Sequence, residues 1–526
     1  VMKRIEALFF SVLLLVAGGP RCGGGGGGDD FDFTTLLLLI LFSSALTPAA
    51  AETCDNPSDQ FFSEQWHLSN TGQKGGTSGE DANVSSVWTS GICGSGVNMA
   101  VIDDGMDINH EDFAGNVTSG TSHDYLTGGT DPSGTSANHG TSVGGIIAPR
   151  ANIRGYNLLQ NSTSTNEQDA MTRSAVDVHV SNNSWGPPDL RGQLIDSNSL
   201  WRAGIDSGLS SGRNGLGTVY VWAGGNGGTS ETDDSNYDGY ANYYGVLSIC
   251  AIGQDGVRAS YSEQGANLWV CGHSQGNDSV AISTIDNSGS LGYNDGTSSS
   301  NLSDSNYTNT FNGTSAAAPL VSGVVGLMLQ ANPNLTWRDV KLILAQSARK
   351  NDATDSDWTT NGAGFNINHK YGFGAADGQA AVTLAQNWTN VDALKEFETA
   401  TSAVGLAIAD DGGAVRTETI TVSGSGISQI EFVDVNINID HTYYRDLLIT
   451  LESPAGTTST LMRQGVCRNS SLAIAACDLT TGITWRFGVT RALGEAANGT
   501  WTIRFDDEAA GDTGTLNSWS LKFYGR

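Results

Sequence analysis

The chain has 526 residues, 38% of them hydrophobic and 15% charged, a globular balance over a length that suits about two to four domains. Its formal net charge of −29 argues against nucleic acid or anionic lipid as a partner. The same charge suits an exported protein, a cationic substrate or bound calcium. Sixty-eight glycines predict many turns, and the seven cysteines include no Cys-x-x-Cys pair, so a zinc ribbon is not expected.

Residues 1–51 read as a leader rather than as fold. Lys3 and Arg4 precede an apolar run, Leu8–Ala17, and Cys22 with its six following glycines resembles a lipoprotein leader. The residues directly before Cys22, Gly-Pro-Arg, are not the small ones that lipidation needs. A second run, Leu36–Leu46, ends in Thr47-Pro-Ala-Ala-Ala51, a cleavage-site pattern with an acidic flank at Asp29–Asp32. Both runs are short for a membrane span. The expectation is export to the periplasm or beyond, with membrane attachment only if the leader is lipidated or retained. With Cys22 in the leader, six cysteines remain. Cys467–Cys477 is the best local pair, and Cys54–Cys93 and Cys250–Cys271 complete one scheme for an oxidising compartment; buried thiols are the alternative.

Val97–Ile102 is mostly apolar and reads as a buried strand that ends in Asp103-Asp104-Gly105. A carboxylate at the C-terminal end of a strand is where open α/β sheets place their sites; a turn-forming Asp-Gly pair is the bland reading. His139-Gly-Thr-Ser then opens a run of small and apolar residues at helical spacing, so His139 is a helix cap or a catalytic base. His110, in a charged loop, is expected to be solvated. Segments 152–160, 176–184, 217–224 and 245–252 read as strands, with helices over 169–176 and 194–208. This alternation predicts a parallel sheet covered on both faces. Asn226, after the strand 217–225, caps a turn or donates its amide to an oxyanion.

Phe311–Gly326, FNGTSAAAPLVSGVVG, is the centre of the chain. Asn312 and Gly313 make a turn, Ser315 stands at the N-terminus of an apolar helix, and Pro319 is expected in the first helical turn. Unpaired N–H groups and the positive dipole end there favour negative charge on an attacked carbonyl. Helices 319–331, 337–349 and 376–386 complete this part. From about residue 391 helical spacing gives way to short alternating segments at 418–422, 427–439, 446–451, 485–489, 499–505 and 519–523, the pattern of an antiparallel sandwich.

Asp103, His139, Asn226 and Ser315 stand in that order along the chain. A serine hydroxyl needs an imidazole to take its proton, and the imidazole needs a carboxylate to fix its tautomer. The strings Val-Ile-Asp103-Asp-Gly, His139-Gly-Thr-Ser, Gly-Asn226-Gly and Gly-Thr-Ser315-Ala-Ala-Ala-Pro resemble the subtilisin-like serine proteases over roughly 59–390. Asp103-Asp104-Gly, Asn183-Ser-Trp-Gly-Pro187 and Asp238-Gly-Tyr look like the kexin and furin branch, the proprotein convertases. His441-Thr-Tyr-Tyr-Arg-Asp-Leu, Gly499-Thr-Trp-Thr-Ile and 511–519 resemble their P domain.

The resemblance implies a leader (1–51), a subtilisin-like α/β catalytic domain with helices on both faces of a parallel sheet (52–390), and a jelly-roll β-sandwich P domain (391–526). It implies Asp103 as orienter, His139 as general base and acid, Ser315 as nucleophile, and Asn226 with the Ser315 N–H as oxyanion hole. Asp189 and Asp238 match S1 acids that grip Arg or Lys, and Asp104 matches an S2 acid. Asp189, Asp233 and Glu263 match one calcium site, and Asp59 and Asp112 acids of another. The expected activity is a secreted, calcium-dependent endopeptidase cleaving polypeptides after basic residues; a broad degradative subtilase and a catalytically dead adhesion protein are the alternatives. Three departures stand out. The calcium loop expected between the His helix and the next strand is missing at Ile147–Ile153. Ser136 replaces the usual carboxylate three residues before His139. No pro-domain of ordinary size fits before Asp59, so a separate folding chaperone or a longer N-terminus is expected.

Overall fold

The computed structural model describes residues 60–526 apart from 135–136, 148, 231–232, 412–413 and 478. Asp59, Ser136, Cys54 and the leader lie outside the described residues. The chain divides into Val1–Glu52 and Thr53–Arg526, and everything below concerns the second unit.

A seven-stranded sheet carries the first half of this unit: β1 (Asn98–Asp103), β2 (His123–Asp124), β3 (Asn152–Asn157), β4 (Val180–Asn183), β5 (Val219–Ala223), β6 (Val246–Ile252) and β7 (Leu268–His273). The strand order is β2-β3-β1-β4-β5-β6-β7, and every pairing is parallel. β4, β5, β6 and β7 are buried along their whole length; β5 and β6 therefore read as apolar runs rather than alternating ones, whereas β4 and β7 bury polar residues such as Asn182 and His273. From β1 the order runs outward in both directions. The crevice beyond the C-terminal ends of β1 and β4 is therefore the switch point at which such sheets place their sites.

Six helices matter here: α1 (Asn138–Gly144), α2 (Ser164–Thr172), α3 (Ser199–Gly215), α4 (Thr314–Ala331), α5 (Trp337–Ser347) and α6 (Gly378–Gln386). The apolar residues of α4, α5 and α6 form one core with Val101, Val180, Val221 and Ile249. α2 and α3 cover the opposite face around Trp201, Trp222 and Tyr220. Both of these latter helices lie about five residues from their expected places. Thr163 caps α2 by accepting the N–H of Asn166, and Asn198 caps α3 by accepting that of Trp201. Those caps, rather than apolar spacing, set where each helix starts. Among the described residues only α4 is long and apolar enough to cross a membrane, and it is a buried core helix.

The second half contains two larger antiparallel sheets. One comprises Lys395–Glu398, Ser402–Ile408, Ile430–His441, Leu479–Val489 and Gly514–Gly525; the other Arg416–Val422, Leu447–Glu452, Thr458–Met462 and Gly499–Asp507. Burial alternates along Leu447–Glu452 and Gly499–Asp507, and the inward residues of both sheets share one apolar core. The sandwich is fastened to the α/β part. Arg338 on α5 grips Glu431 through Nε and Nη2 at 2.7 and 2.6 Å, Arg463 reaches Asp234 at 2.7 Å, and Tyr244 stacks on Tyr524 with ring centroids 4.0 Å apart. Disulfides join Cys250 to Cys271 across β6 and β7 and Cys467 to Cys477, as expected. Cys93 is also disulfide-bonded, and its expected partner, Cys54, is outside the described residues.

Two expectations are corrected. His110 is not solvated: it is buried, its Nε2 lies 2.9 Å from the Asn306 carbonyl, and its Nδ1 accepts the N–H of Asp112. Pro319 is not in the first turn of its helix, because α4 starts at Thr314 and Pro319 falls inside it.

Candidate active site

Asp103 is the last residue of β1 and is buried completely. Its Oδ1 accepts from His139 Nδ1 at 2.7 Å and from the Asp104 N–H at 2.7 Å; its Oδ2 is buried with no hydrogen-bond partner. That pairing places the proton on Nδ1 of His139 and leaves Nε2 as the basic nitrogen. His139 is the second residue of α1, and the next carboxylate holds the helix start: Asp104 accepts the N–H of Gly140 at 2.8 Å and of His139 at 3.4 Å. Gly140 is obligatory there, since a Cβ would fall 1.9 Å from the Gly105 carbonyl and 2.9 Å from Asp103 Cβ. The His-Gly string is thus the imprint of a helix pressed onto the end of β1.

Ser315 is the second residue of α4, behind Gly313 at φ +81°, a left-handed conformation that suits glycine. The N-cap residue Gly313 offers this helix no side chain; the Thr314 N–H goes to Asn226 and the Ala316 N–H to the Gly313 carbonyl at 3.1 Å. Pro319 has no N–H to give to the carbonyl four residues earlier, which belongs to Ser315. Ser184 Oγ fills the gap, donating to the Ser315 carbonyl at 3.0 Å, and the Ser315 hydroxyl donates back to the Ser184 carbonyl at 3.3 Å. Ser184 follows β4, so the interior proline and the Asn183-Ser-Trp-Gly string tie the serine to the central strand. Sequence reading missed this role for Ser184. Asn226, beyond β5, has its Oδ1 occupied by the N–H and hydroxyl of Thr314 at 2.8 and 3.0 Å, which fixes the amide against the serine turn.

Asp103, Asp104, His139, Asn226, Ser315, Asp189, Asp233, Asp238 and Glu263 all line one cleft of about 340 Å³. Asp189 accepts the backbone N–H of Asn226 at 2.8 Å. Asp233 accepts the N–H groups of Arg191, at 3.0 Å, and Gly192, and Glu263 accepts that of Gly227 at 2.9 Å. Asp238 accepts the N–H of Tyr240 at 2.7 Å. Desolvation raises the pKa of every one of these acids, Asp238 to about 7 and Glu263 well above its ordinary value. Mutual repulsion adds to it: Asp233 and Asp189 both push Glu263 up, and Asp189 pushes up Asp238. Crowded carboxylates of this kind are relieved by a cation. The arrangement is not drawn in to coordination distance, and no group of three or more His, Cys, Asp or Glu among the described residues is gathered closely enough to hold a metal ion. Asp112 is elsewhere, in a separate cavity, where it accepts the Tyr307 hydroxyl at 2.8 Å.

For His139, burial opposes the charged form, but Asp103 and then Asp104 outweigh it and hold the pKa up to about 9. Asp104 is itself pushed up to about 7 by desolvation and by the Asp103 charge.

The α/β fold with its appended antiparallel sandwich is that of a subtilisin-like serine endopeptidase. The Subtilase family pattern matches residues 94–374, and the Proprotein convertase P-domain pattern matches 430–523. The chain belongs to the subtilase family. It is similar to neuroendocrine convertase 2 of Drosophila melanogaster, 33% identical over 505 residues, covering 90% of this chain and 73% of that protein. It is similar to furin of Rattus norvegicus, 32% identical over 500 residues; this covers 91% of the chain, which spans 59% of furin's length. Among solved structures, the serine protease of Aeromonas sobria matches with a TM-score of 0.79 at 28% identity, covering 97% of this chain and 100% of that one. The complex of that protease with the chaperone matches with a TM-score of 0.79 at 29% identity, covering 89% and 95%.

Proposed function

We propose that this chain is an exported, calcium-dependent endopeptidase that cleaves polypeptides after Arg or Lys. One observation carries the reading: a His139–Asp103 pair at 2.7 Å shares its cleft with Ser315 and with the carboxylates of Asp189 and Asp238. In the proposed chemistry the Ser315 hydroxyl leaves the Ser184 carbonyl and gives its proton to His139 Nε2 as Oγ attacks the substrate carbonyl. Apo contacts of this kind tighten on substrate binding. The N–H of Ser315 and the amide of Asn226 take the oxyanion. Protonated His139 then returns the proton to the leaving amine, and water releases the acyl group by the same route. Asp238 and Asp189 bind the basic side chain, and Asp104 faces the preceding substrate residue.

Asp189, Asp233 and Glu263 would draw in around calcium, a hard ion that takes oxygen ligands; its two positive charges would offset most of the charge of the three carboxylates and firm the wall of the cleft. Repelling carboxylates with no nitrogen or sulfur donor suit that ion, with Glu263 buried at the floor, Asp233 half-buried and Asp189 exposed. A second site using Asp59 and Asp112 is not supported by the Asp112 contact with Tyr307. Catalytic and P domains are proposed to divide at 390/391, with a separate chaperone assisting folding, since the similar Aeromonas sobria protease has been solved with one.

The decisive measurement is a cleavage-site profile with and without a calcium chelator. Cuts after Arg and Lys that fade on chelation are expected; cuts after Phe and Leu at equal rates would replace this reading with a broad degradative protease. The pH profile supplies a second prediction. His139 must be neutral to accept a proton, and the Asp104 charge favours its protonated form. Asp104→Asn is therefore expected to move the acidic limb of kcat/KM down by roughly one pH unit, read with a substrate lacking a basic residue before the Arg. A limb that stays in place would remove Asp104 from the electrostatics of the base.

A further inference from the structure

From β7 the chain passes Ser274 and then a hairpin, β8 (Ile282–Ile285) and β9 (Tyr307–Phe311), before it reaches the turn at Gly313. In space Ser274 and Gly313 are neighbours. β7 presses on the start of α4 so closely that a Cβ on Gly272 would fall 2.4 Å from the Ala317 carbonyl. Ser274 is buried completely, and its hydroxyl donates to the Gly313 carbonyl at 2.8 Å. The Tyr261 hydroxyl stands behind it, 3.0 Å from Ser274 Oγ and 2.9 Å from the Gln275 carbonyl. Ser274 Oγ can only accept from that phenol, because its own proton is committed to Gly313.

The Gly313 carbonyl does not need this bond to be satisfied, since it already accepts the N–H of Ala316 at 3.1 Å. What the bond adds is orientation. Gly313 has φ +81° and ψ 172°, and a glycine lets the peptide that follows it turn over at little cost. That peptide, between Gly313 and Thr314, is held at both ends: its oxygen by Ser274, and its N–H by Asn226 Oδ1 at 2.8 Å. The second of these contacts is also what fixes the Asn226 amide, whose nitrogen faces the oxyanion in the chemistry above. If the peptide turned, Asn226 would lose its anchor.

We propose that Ser274 is a positioning residue for the reaction: its hydroxyl locks the peptide between Gly313 and Thr314, and through it the Asn226 amide that takes the oxyanion. The proposal rests on the endopeptidase reading above. It is tested by the hydrolysis of an arginyl 4-nitroanilide at saturating calcium. Ser274→Ala should lower kcat by about tenfold, the rate equivalent of one hydrogen bond. KM should stay within about twofold, because Ser274 does not line the cleft that binds substrate. Asn226→Ala alone should cost on the order of a hundredfold in kcat, and adding Ser274→Ala to it should cost less than about twofold more. Ser274→Thr, which keeps the hydroxyl, should hold kcat within about threefold of wild type. Each Tm is recorded so that rates are read on folded protein. The Ser274 N–H still donates to the Ile252 carbonyl at 2.8 Å after either removal, so Ser274→Gly replaces Ser274→Ala in the same cycle if the alanine variant does not fold. An unchanged kcat, or a loss that recurs in full without the Asn226 side chain, would overturn the positioning role. No hydrolysis by the wild type would overturn the endopeptidase reading and this role with it; wild-type hydrolysis that the Ser274 variants match would overturn the role alone.

Discussion

Replacing Ser315 with alanine is expected to lower kcat by about a millionfold, the scale on which subtilases lose activity without their nucleophile. The loss is that large because covalent attack disappears while everything that serves it remains. Fold stability should change little. The Ser315 side chain contributes only one hydrogen bond, to the Ser184 carbonyl at 3.3 Å, whereas the stronger tie uses the Ser315 backbone carbonyl and survives the substitution. The variant should still unfold cooperatively at a similar Tm, bind arginyl peptides, and fail to react with a fluorophosphonate. Retained cleavage of an arginyl amide would remove Ser315 from the chemistry. His139→Ala should cost about as much, because without a base the hydroxyl is a poor nucleophile, and the two losses should not add. That non-additivity separates a reacting pair from two residues that merely hold the cleft together.

Asp103, His139, Asn226 and Ser315 stand out in the sequence because each lies at the end of an element and carries the geometry of that end in its neighbours. Gly140 is required by the contact of α1 with β1, and Gly313 by the left-handed turn into α4. The parallel sheet was legible because its inner strands are wholly buried and apolar. β7 and the hairpin β8–β9 were not seen, since polar residues such as His273 and Thr308 sit buried in them. The place of Pro319 was misjudged because the usual rule puts proline at a helix start. Here the proline is inside α4, and the cost of its missing N–H is offset by Ser184, a residue 131 positions from the Ser315 carbonyl it serves. His110 looked solvated for a similar reason: its burial depends on Asn306, supplied from far along the chain. Local strings encode the chemistry of this site, and distant partners encode its rigidity.

The sandwich bears on the acidic wall of the cleft in the same way. Arg463 pairs with Asp234, the neighbour of Asp233, and the N–H of Arg468 donates to the Arg191 carbonyl at 2.8 Å. Burial raises the Asp234 pKa to about 6, and the Arg463 charge opposes that rise. The segments that present Asp189 and Asp233 are thus held from outside by the second domain, which links the placing of acids in the pocket to the packing of a β-sandwich.

Asp189→Asn is expected to cut kcat/KM for an arginyl substrate by on the order of a hundredfold, about 3 kcal/mol, while a phenylalanyl substrate changes far less. The amide keeps the shape of the carboxylate, so the difference reports charge. In the free protein desolvation holds the Asp189 pKa up, against the hydrogen bonds from Asn226 that lower it. A guanidinium entering the pocket favours its ionised form, and that relief is lost with a neutral side chain. Asp189 is also proposed as a calcium ligand, so the measurement belongs at saturating calcium, with Asp238→Asn alongside. Asp238 lies in the same cleft, outside the proposed ligand set, and is pushed up to about 7 by desolvation. If both acids grip the substrate, both variants lose selectivity for Arg over Phe, and only Asp189→Asn demands more calcium. The free Asp238 carboxyl ionises as pH rises through about 7, so preference for Arg in the wild type should grow across that range and flatten in Asp238→Asn. A loss that falls equally on Arg and Phe substrates in both variants would mean that these carboxylates shape the wall of the cleft without reading the side chain inside it.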